Sequence, residues 1–178
     1  MADLMRIAPL DGLSLPETAG FSCVATPAAT RFILRAAPDV AAGIIRDFGC
    51  EPPARLRATR NGPRAALWLG PDEWLLITEG QGGCTVPVGP GVHSLVDVSH
   101  RQTGLLLSGP RAALALNGGC PLDLDLAAFP VGMAVRTIFA KAEIVLWRTG
   151  HDEFRVDVWR SFADYVTKMV CEAARLAP

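Results

Sequence analysis

The chain repeats itself. Arg31-Phe32-Ile33-Leu34-Arg35 and a Pro38-led stretch ending at Cys50-Glu51-Pro52 return about seventy residues later as Gly104-Leu105-Leu106-Leu107-Ser108 and a Pro110-led stretch ending at Cys120-Pro121. Further on, Leu67-Trp68-Leu69-Gly70-Pro71-Asp72-Glu73-Trp74-Leu75-Leu76-Ile77 is echoed by Leu146-Trp147-Arg148-Thr149-Gly150-His151-Asp152-Glu153-Phe154-Arg155-Val156. Both copies read as strand, turn carrying Asp-Glu, and a strand led by an aromatic residue. Internal duplication limits the fold to two similar units that share a core.

The expected elements follow from periodicity and turn chemistry. Residues 1–25 mix Pro, Gly, Ser and Thr with scattered apolar residues and read as an N-terminal arm. Residues 32–35 are β-type, and Val40, Ile44, Ile45 and Phe48 form the stripe of a helix that rests one face on a sheet and stops at Gly49. Residues 55–59 alternate polar and apolar, Asn61-Gly62 is a hairpin turn, and residues 65–69 and 74–78 complete a three-stranded meander. The Gly/Pro-rich residues 80–91 cross to the second half.

There, residues 93–98 and 104–107 read as strands, 111–116 as a short helix, and 133–140, 143–148 and 153–158 as the second meander. A closing helix opens at Ser161, with Asp164 completing an approximate capping box and Phe162, Tyr165, Val166, Met169, Val170 and Ala173 on its apolar face. The predicted class is α+β: a single duplicated domain over residues 26–178, halves at about 26–80 and 92–178, each β-α-β-β-β(-α) with antiparallel or mixed sheets.

Composition narrows the function classes. The 17 Lys+Arg against 18 Asp+Glu give a net charge of −1, without the basic footprint of a nucleic-acid binder. Mean hydropathy is +0.27, yet no run reaches the ~20 apolar residues of a membrane helix. The N-terminus lacks the basic and apolar blocks of a secretory signal, so a cytoplasmic location is expected. Five widely spaced cysteines without a Cys-x-x-Cys pair point to reduced thiols, not to a disulfide framework or zinc site.

Candidate chemistry is sparse. Asp97, Ser99, His100 and Arg101 form the densest polar cluster, but neighbours this close in sequence rarely converge on one reacting atom, and no Gly-x-Ser-x-Gly elbow is present. A turn in which Asp97 and Ser99 bond local backbone amides is the simpler expectation. His93 and His151 are isolated turn residues, and Asp72-Glu73 and Asp152-Glu153 are turn formers. Arg55, Arg57, Arg60 and Arg64 place cations on one hairpin, either as a solvated face or as a docking surface for an acidic partner. Gly80-Gln81-Gly82-Gly83 lacks the Lys-Ser/Thr ending of a phosphate-binding loop.

Asp97-Val98-Ser99-His100, Leu107-Ser108-Gly109-Pro110-Arg111-Ala112, Gly119-Cys120-Pro121-Leu122-Asp123-Leu124, Phe129-Pro130-Val131-Gly132 and Arg160-Ser161-Phe162-Ala163-Asp164-Tyr165 together resemble the gamma subunit of heterotetrameric sarcosine oxidase. Leu69-Gly70-Pro71-Asp72-Glu73-Trp74-Leu75-Leu76 is similar to that family's signature in the first half. A broader similarity reaches the folate-binding domain of glycine-cleavage aminomethyltransferases, whose duplicated α+β architecture the repeat matches.

The resemblance implies an accessory subunit without catalytic residues or a cofactor of its own. Its complex oxidises sarcosine to glycine, releases hydrogen peroxide and passes the one-carbon unit to tetrahydrofolate or releases it as formaldehyde. FAD, FMN, NAD and zinc are expected on partner subunits, the flavins on large ones, and the isolated chain could form a homo-oligomer. Asp97, Ser99, His100, Arg101, Asp72, Glu73, Trp74 and Arg160 carry over as family-signature or interface positions. Where aminomethyltransferases place an Asp pair, this chain has Glu143, the candidate folate-facing residue. The alternative is a stand-alone folate-binding or aminomethyl-transfer protein, which requires a pocket between the halves with an acidic group facing the pterin.

Overall fold

A computed structural model describes residues 10, 18–80, 85–87 and 89–176. Most of the expected arm, and residues 81–84 and 88 of the expected crossing loop, therefore lie outside the described residues. The elements run β1 (Ser22–Ala25), β2 (Ala29–Ala36), α1 (Pro38–Asp47), β3 (Ala58–Asn61), β4 (Arg64–Gly70), β5 (Glu73–Glu79) and β6 (His93–Asp97). The second half continues with β7 (Gln102–Ser108), α2 (Ala112–Asn117), β8 (Ala134–Phe139), β9 (Ala142–Gly150), β10 (Glu153–Trp159), a 3-10 turn (Arg160–Phe162) and α3 (Ala163–Leu176).

Two five-stranded sheets result, ordered β3-β4-β5-β2-β6 and β8-β9-β10-β7-β1. The orders correspond strand for strand, which is the duplication expressed in space. Each sheet is completed by a strand from the other half: β6 pairs with β2, Ile33 facing Val96, and β1 pairs with β7, Val24 facing Leu106. The repeat thus closes by exchange of leading strands. Ser22–Ala25, assigned to the arm by the sequence reading, is one of the exchanged strands. All strand pairings are antiparallel among the described residues, so the mixed alternative is dropped.

The layers follow from period-two alternation along the strands. Leu34, Ala66, Trp74 and Leu76 turn to one side of the first sheet and bury Ile44, Ile45 and Phe48 of α1. Leu105, Leu107, Phe154, Val156 and Val158 turn to the outer side of the second sheet, against α2 and α3. Between the sheets, Ala65, Leu67, Leu75 and Ile77 meet Ala134, Val145 and Trp147. Each fully buried Leu, Ile or Phe in these layers contributes roughly 1.5–3 kcal/mol. The order is helix, sheet, sheet, helices.

Local chemistry explains most boundaries. Pro38 begins α1, and Gly49 at φ 95° ends it, with Gly49 N–H donating to Arg46 O and Cys50 N–H to Ile45 O. Gly62 at φ 57° turns the β3–β4 hairpin. The strand expected over residues 55–59 begins only at Ala58, because Leu56 at φ 59° breaks the alternation; Arg55 and Arg57 do not share a strand face. Instead, Ala58 N–H donates to Gly132 O and Ala134 N–H to Leu56 O, stitching the two sheets at the β3–β8 end.

The closing helix also departs from expectation. Ser161 lies in the 3-10 turn, and Asp164 pairs with Lys168 at 2.8 Å instead of completing a capping box. The buried stripe is Ala163, Val166, Thr167, Val170, Cys171 and Ala174. Phe162 and Met169, expected inside, are partly exposed. Small residues let α3 lie close to α2, and this rotates the larger side chains outward.

Candidate functional site

The polar centre of the molecule lies between the sheets. Residues at alternate positions of β10 face the first sheet, and Arg155 and Asp157 occupy the places that Leu75 and Ile77 hold in the first repeat. Asp157 Oδ1 accepts Arg31 Nε–H at 2.8 Å and Oδ2 accepts Arg155 Nε–H at 2.7 Å. Arg155 Nη1 reaches Glu79 Oε1 at 2.5 Å, and Arg60 Nη2 reaches Glu79 Oε2 at 2.7 Å. The chain of charges therefore runs from a fully buried carboxylate to an exposed guanidinium. Burial alone would raise the Asp157 pKa, but Arg155 and Arg31 outweigh it and hold the carboxyl below the ordinary range.

The Asp97–Arg101 cluster borders this centre without forming a triad. Ser99 Oγ accepts Arg31 N–H at 2.9 Å, while Asp97 Oδ1 accepts Ser99 N–H at 2.8 Å. Hydrogen bonds from Ser99, with the nearby His100, keep Asp97 below the usual carboxylate range. Ser99 thus serves the backbone of β2, where a nucleophile would need a base. His100 and Arg101 lie at the surface. The Arg101 guanidinium stacks 4.1 Å over Trp159, and Arg101 O accepts Arg160 N–H at 2.8 Å.

The other expected positions fall elsewhere. Asp72 pairs with Arg35 at 2.7 Å on the surface. Glu73 pairs with Arg136 across the sheets, and Glu143 stands 4.0 Å from Arg136 Nε with half its side chain exposed. Trp74 is buried against the α1 layer. His93 and His151 bond Gly91 O and Asp152 at exposed positions. Cys23, Cys50, Cys120 and Cys171 are buried free thiols, and Cys84 lies outside the described residues. Among the described residues no group of three or more His, Cys, Asp or Glu could hold a metal ion.

Two surface clefts lie outside the sandwich. One of about 600 Å³ is lined by Arg46, Cys50, Glu51, Thr59, Arg60 and Asn61. The other, of about 460 Å³, runs between α2 and α3 and is lined by Leu114, Phe139, Met169, Ala173 and Leu176 among others. Neither opens between the sheets, where the ion cluster and the apolar layer meet.

Arg31, Arg155, Asp157 and Glu79 were missed by sequence reasoning. The available signal was an Arg-x-Asp pair replacing Leu-x-Ile within an otherwise apolar repeat. Arg148, buried and stacked 4.8 Å from Phe154, was missed as well. Its guanidinium donates to Leu124 O at 3.1 Å and Phe129 O at 2.9 Å, and also to Gly150 O and His151 O. It ties the loop before β8 to the β9–β10 turn and lines neither cleft.

Comparison with known proteins gives this arrangement a family. The sarcosine oxidase, gamma subunit family matches residues 34–175. Sarcosine oxidase subunit gamma of Corynebacterium sp. (strain P-1) is 35% identical over 113 residues, 61% of this chain and 56% of that protein. The match thus spans little more than half the length of that curated relative. The structure of heterotetrameric sarcosine oxidase from Corynebacterium sp. U-96 in complex with pyrrole 2-carboxylate contains a chain with a TM-score of 0.84 at 28% identity, covering 97% of this chain and 98% of that one. Aminomethyltransferase T of the glycine cleavage system from Bartonella henselae shares the fold, with a TM-score of 0.60 at 12% identity over 88% of this chain and 49% of that one. The chain belongs to the sarcosine oxidase gamma subunit family.

Proposed function

We propose that this chain is an accessory, non-catalytic gamma subunit of a flavin-dependent heterotetrameric sarcosine oxidase. In this reading large flavoprotein subunits convert sarcosine to glycine with release of hydrogen peroxide, and FAD, FMN, NAD and zinc reside on partner chains. The one-carbon unit passes to tetrahydrofolate or leaves as formaldehyde, again on partner chains. A cytoplasmic complex belongs to the same proposal.

The observation that carries the reading is the correspondence, nearly end to end, with a chain of the heterotetrameric enzyme. The interior supports it. Arg155 and Arg31 hold the Asp157 carboxyl below the ordinary range, so it has no proton to offer near neutrality. The surface is also consistent with docking: Val24, Val96, Leu114, Trp159, Phe162 and Met169 are large apolar residues left partly exposed. Against a folate site between the halves, the inner sheet faces pack Leu67 and Leu75 on Val145 and Trp147, and Glu143 faces Arg136 at the rim.

Affinity purification of the natively expressed chain tests the proposal. Recovery with flavin-containing larger subunits and sarcosine oxidase activity is expected. A lone chain that binds tetrahydrofolate saturably in calorimetry would overturn it in favour of a stand-alone folate protein.

A further inference from the structure

The turn after β6 and the junction after β10 meet at one end of the sandwich. Arg101 lies over the Trp159 ring at 4.1 Å, and the Arg160 amide donates to Arg101 O at 2.8 Å, so two distant segments hold each other in place. Trp159 and Phe162 remain 37% and 39% exposed beside them, a large apolar area to leave in water. Among the described residues neither the Arg101 nor the Arg160 guanidinium has a hydrogen-bonding partner. Several exposed cations are matched within the chain, Arg35 with Asp72, Lys168 with Asp164 and Arg175 with Glu172, and Arg101 differs from exposed unmatched cations such as Arg46, Arg55 and Lys141 in lying over an aromatic ring. Asp97, the near carboxylate, is engaged by its own turn at Ser99.

We infer that Arg101, Trp159, Arg160 and Phe162 form a docking face for an acidic loop of a partner subunit, whose carboxylates take the guanidinium donors while its apolar groups cover the two rings. This rests on the accessory-subunit reading above. Stacking on an indole face leaves the edge donors of a guanidinium free in their own plane, the geometry that receives a carboxylate bidentately. The stack holds the Arg101 side chain in advance and the Arg160–Arg101 backbone bond fixes the two segments, which lowers the ordering cost of association. Trp and Arg are also the residue types that carry most of the energy at protein interfaces. A phosphate-rich partner fits poorly, because the chain as a whole carries a net charge of −1.

The test uses the complex co-expressed with its natural partners. The double variant R101E/R160E is compared with R46E, a charge reversal on an exposed arginine of α1. R101E/R160E is expected to weaken association roughly thirtyfold or more, and R46E to stay within about twofold, since like charges across an interface oppose binding. W159A provides a second variant that leaves charge unchanged and is expected to weaken binding about tenfold. Thermal unfolding of the free variants checks that each is folded. An unaltered affinity in R101E/R160E, or an equal loss in R46E, overturns the docking face while leaving the accessory role standing. A wild-type chain recovered without any partner overturns both. Conversion of a homodimer to monomer by R101E/R160E would assign the face to a second copy of this chain and remove the acidic partner.

Discussion

Asp157 accepts the Arg31 Nε–H at 2.8 Å across a separation of 126 residues, joining β10 of one sheet to β2 of the other with both side chains almost wholly buried. A buried charge held on both sides is costly to orphan and cheap to replace as a set. Asp157→Ala leaves Arg31 and Arg155 without their shared counter-charge and is expected to destabilise by about 3–5 kcal/mol. A triple variant R31M/R155L/D157I is expected to restore at least the lost stability, following the Leu75 and Ile77 pattern of the first repeat. Chemical denaturation of the two variants checks both statements.

The same carboxylate sets an acid dependence. Its folded pKa lies below its unfolded value, which is about 3.9 for an ordinary Asp. Stabilisation from Asp157 is therefore complete above that unfolded value and is lost as pH falls through the folded pKa. Unfolding free energy measured from pH 7 downward should fall below about pH 4 in the wild type, and D157N should flatten that part of the curve.

Much of this fold was legible because its signals are local. Pro38 and Gly49 bound α1, Asn61-Gly62 turns a hairpin, and the Asp-Glu turns place both meanders. The exchange of β1 and β6 was not legible: hydrophobic alternation says that Ser22–Ala25 can be a strand, not which edge it joins. The ion cluster escaped because periodicity makes residues 153–158 a strand without saying which face Arg155 and Asp157 take, and only their register against β9 and β7 shows which way they turn. On α3 the larger apolar residues suggested the inner face, whereas close helix packing selected the smaller ones. Arg101 was legible as a candidate, but its contact with Trp159 arises from strand pairing of Gln102 with Trp159.

Exchange of leading strands predicts that the halves do not fold apart. A fragment of residues 26–80 lacks β6, and one of 92–178 lacks β1 and leaves the β7 edge bare. Each alone should show no cooperative thermal transition, while mixing the two is expected not to restore the β1–β7 pairing. The intact chain should unfold in a single transition, checked by coincident fluorescence and circular dichroism curves.

Buried thiols supply a probe of that cooperativity. Burial pushes both the Cys23 and Cys171 thiols up from their ordinary pKa, Cys23 furthest, so thiolate is scarce at both. Maleimide labelling at pH 8 should leave Cys23 on β1 and Cys171 on α3 unmodified in the native chain and modify both in denaturant, as read by peptide mass analysis. Fast labelling of Cys23 alone would mean that β1 detaches separately from the second sheet.

Glycine at position 109 makes the exchange sterically feasible, and its replacement tests how tightly β1 is seated. Gly109 adopts φ 108°, and a Cβ there would overlap the Gly20 carbonyl oxygen, next to the hydrogen bond from Arg111 N–H to that same oxygen. G109A must both strain its own backbone and push the start of β1 away, whereas G62A, at φ 57° with open space around it, faces conformational cost alone. The expected losses are about 1 kcal/mol for G62A and well over 2 kcal/mol for G109A, the second combining left-handed strain with overpacking. Equal losses in denaturant titration would show that the β1 entry yields freely, and the exchanged strand would then contribute little to holding the two sheets together.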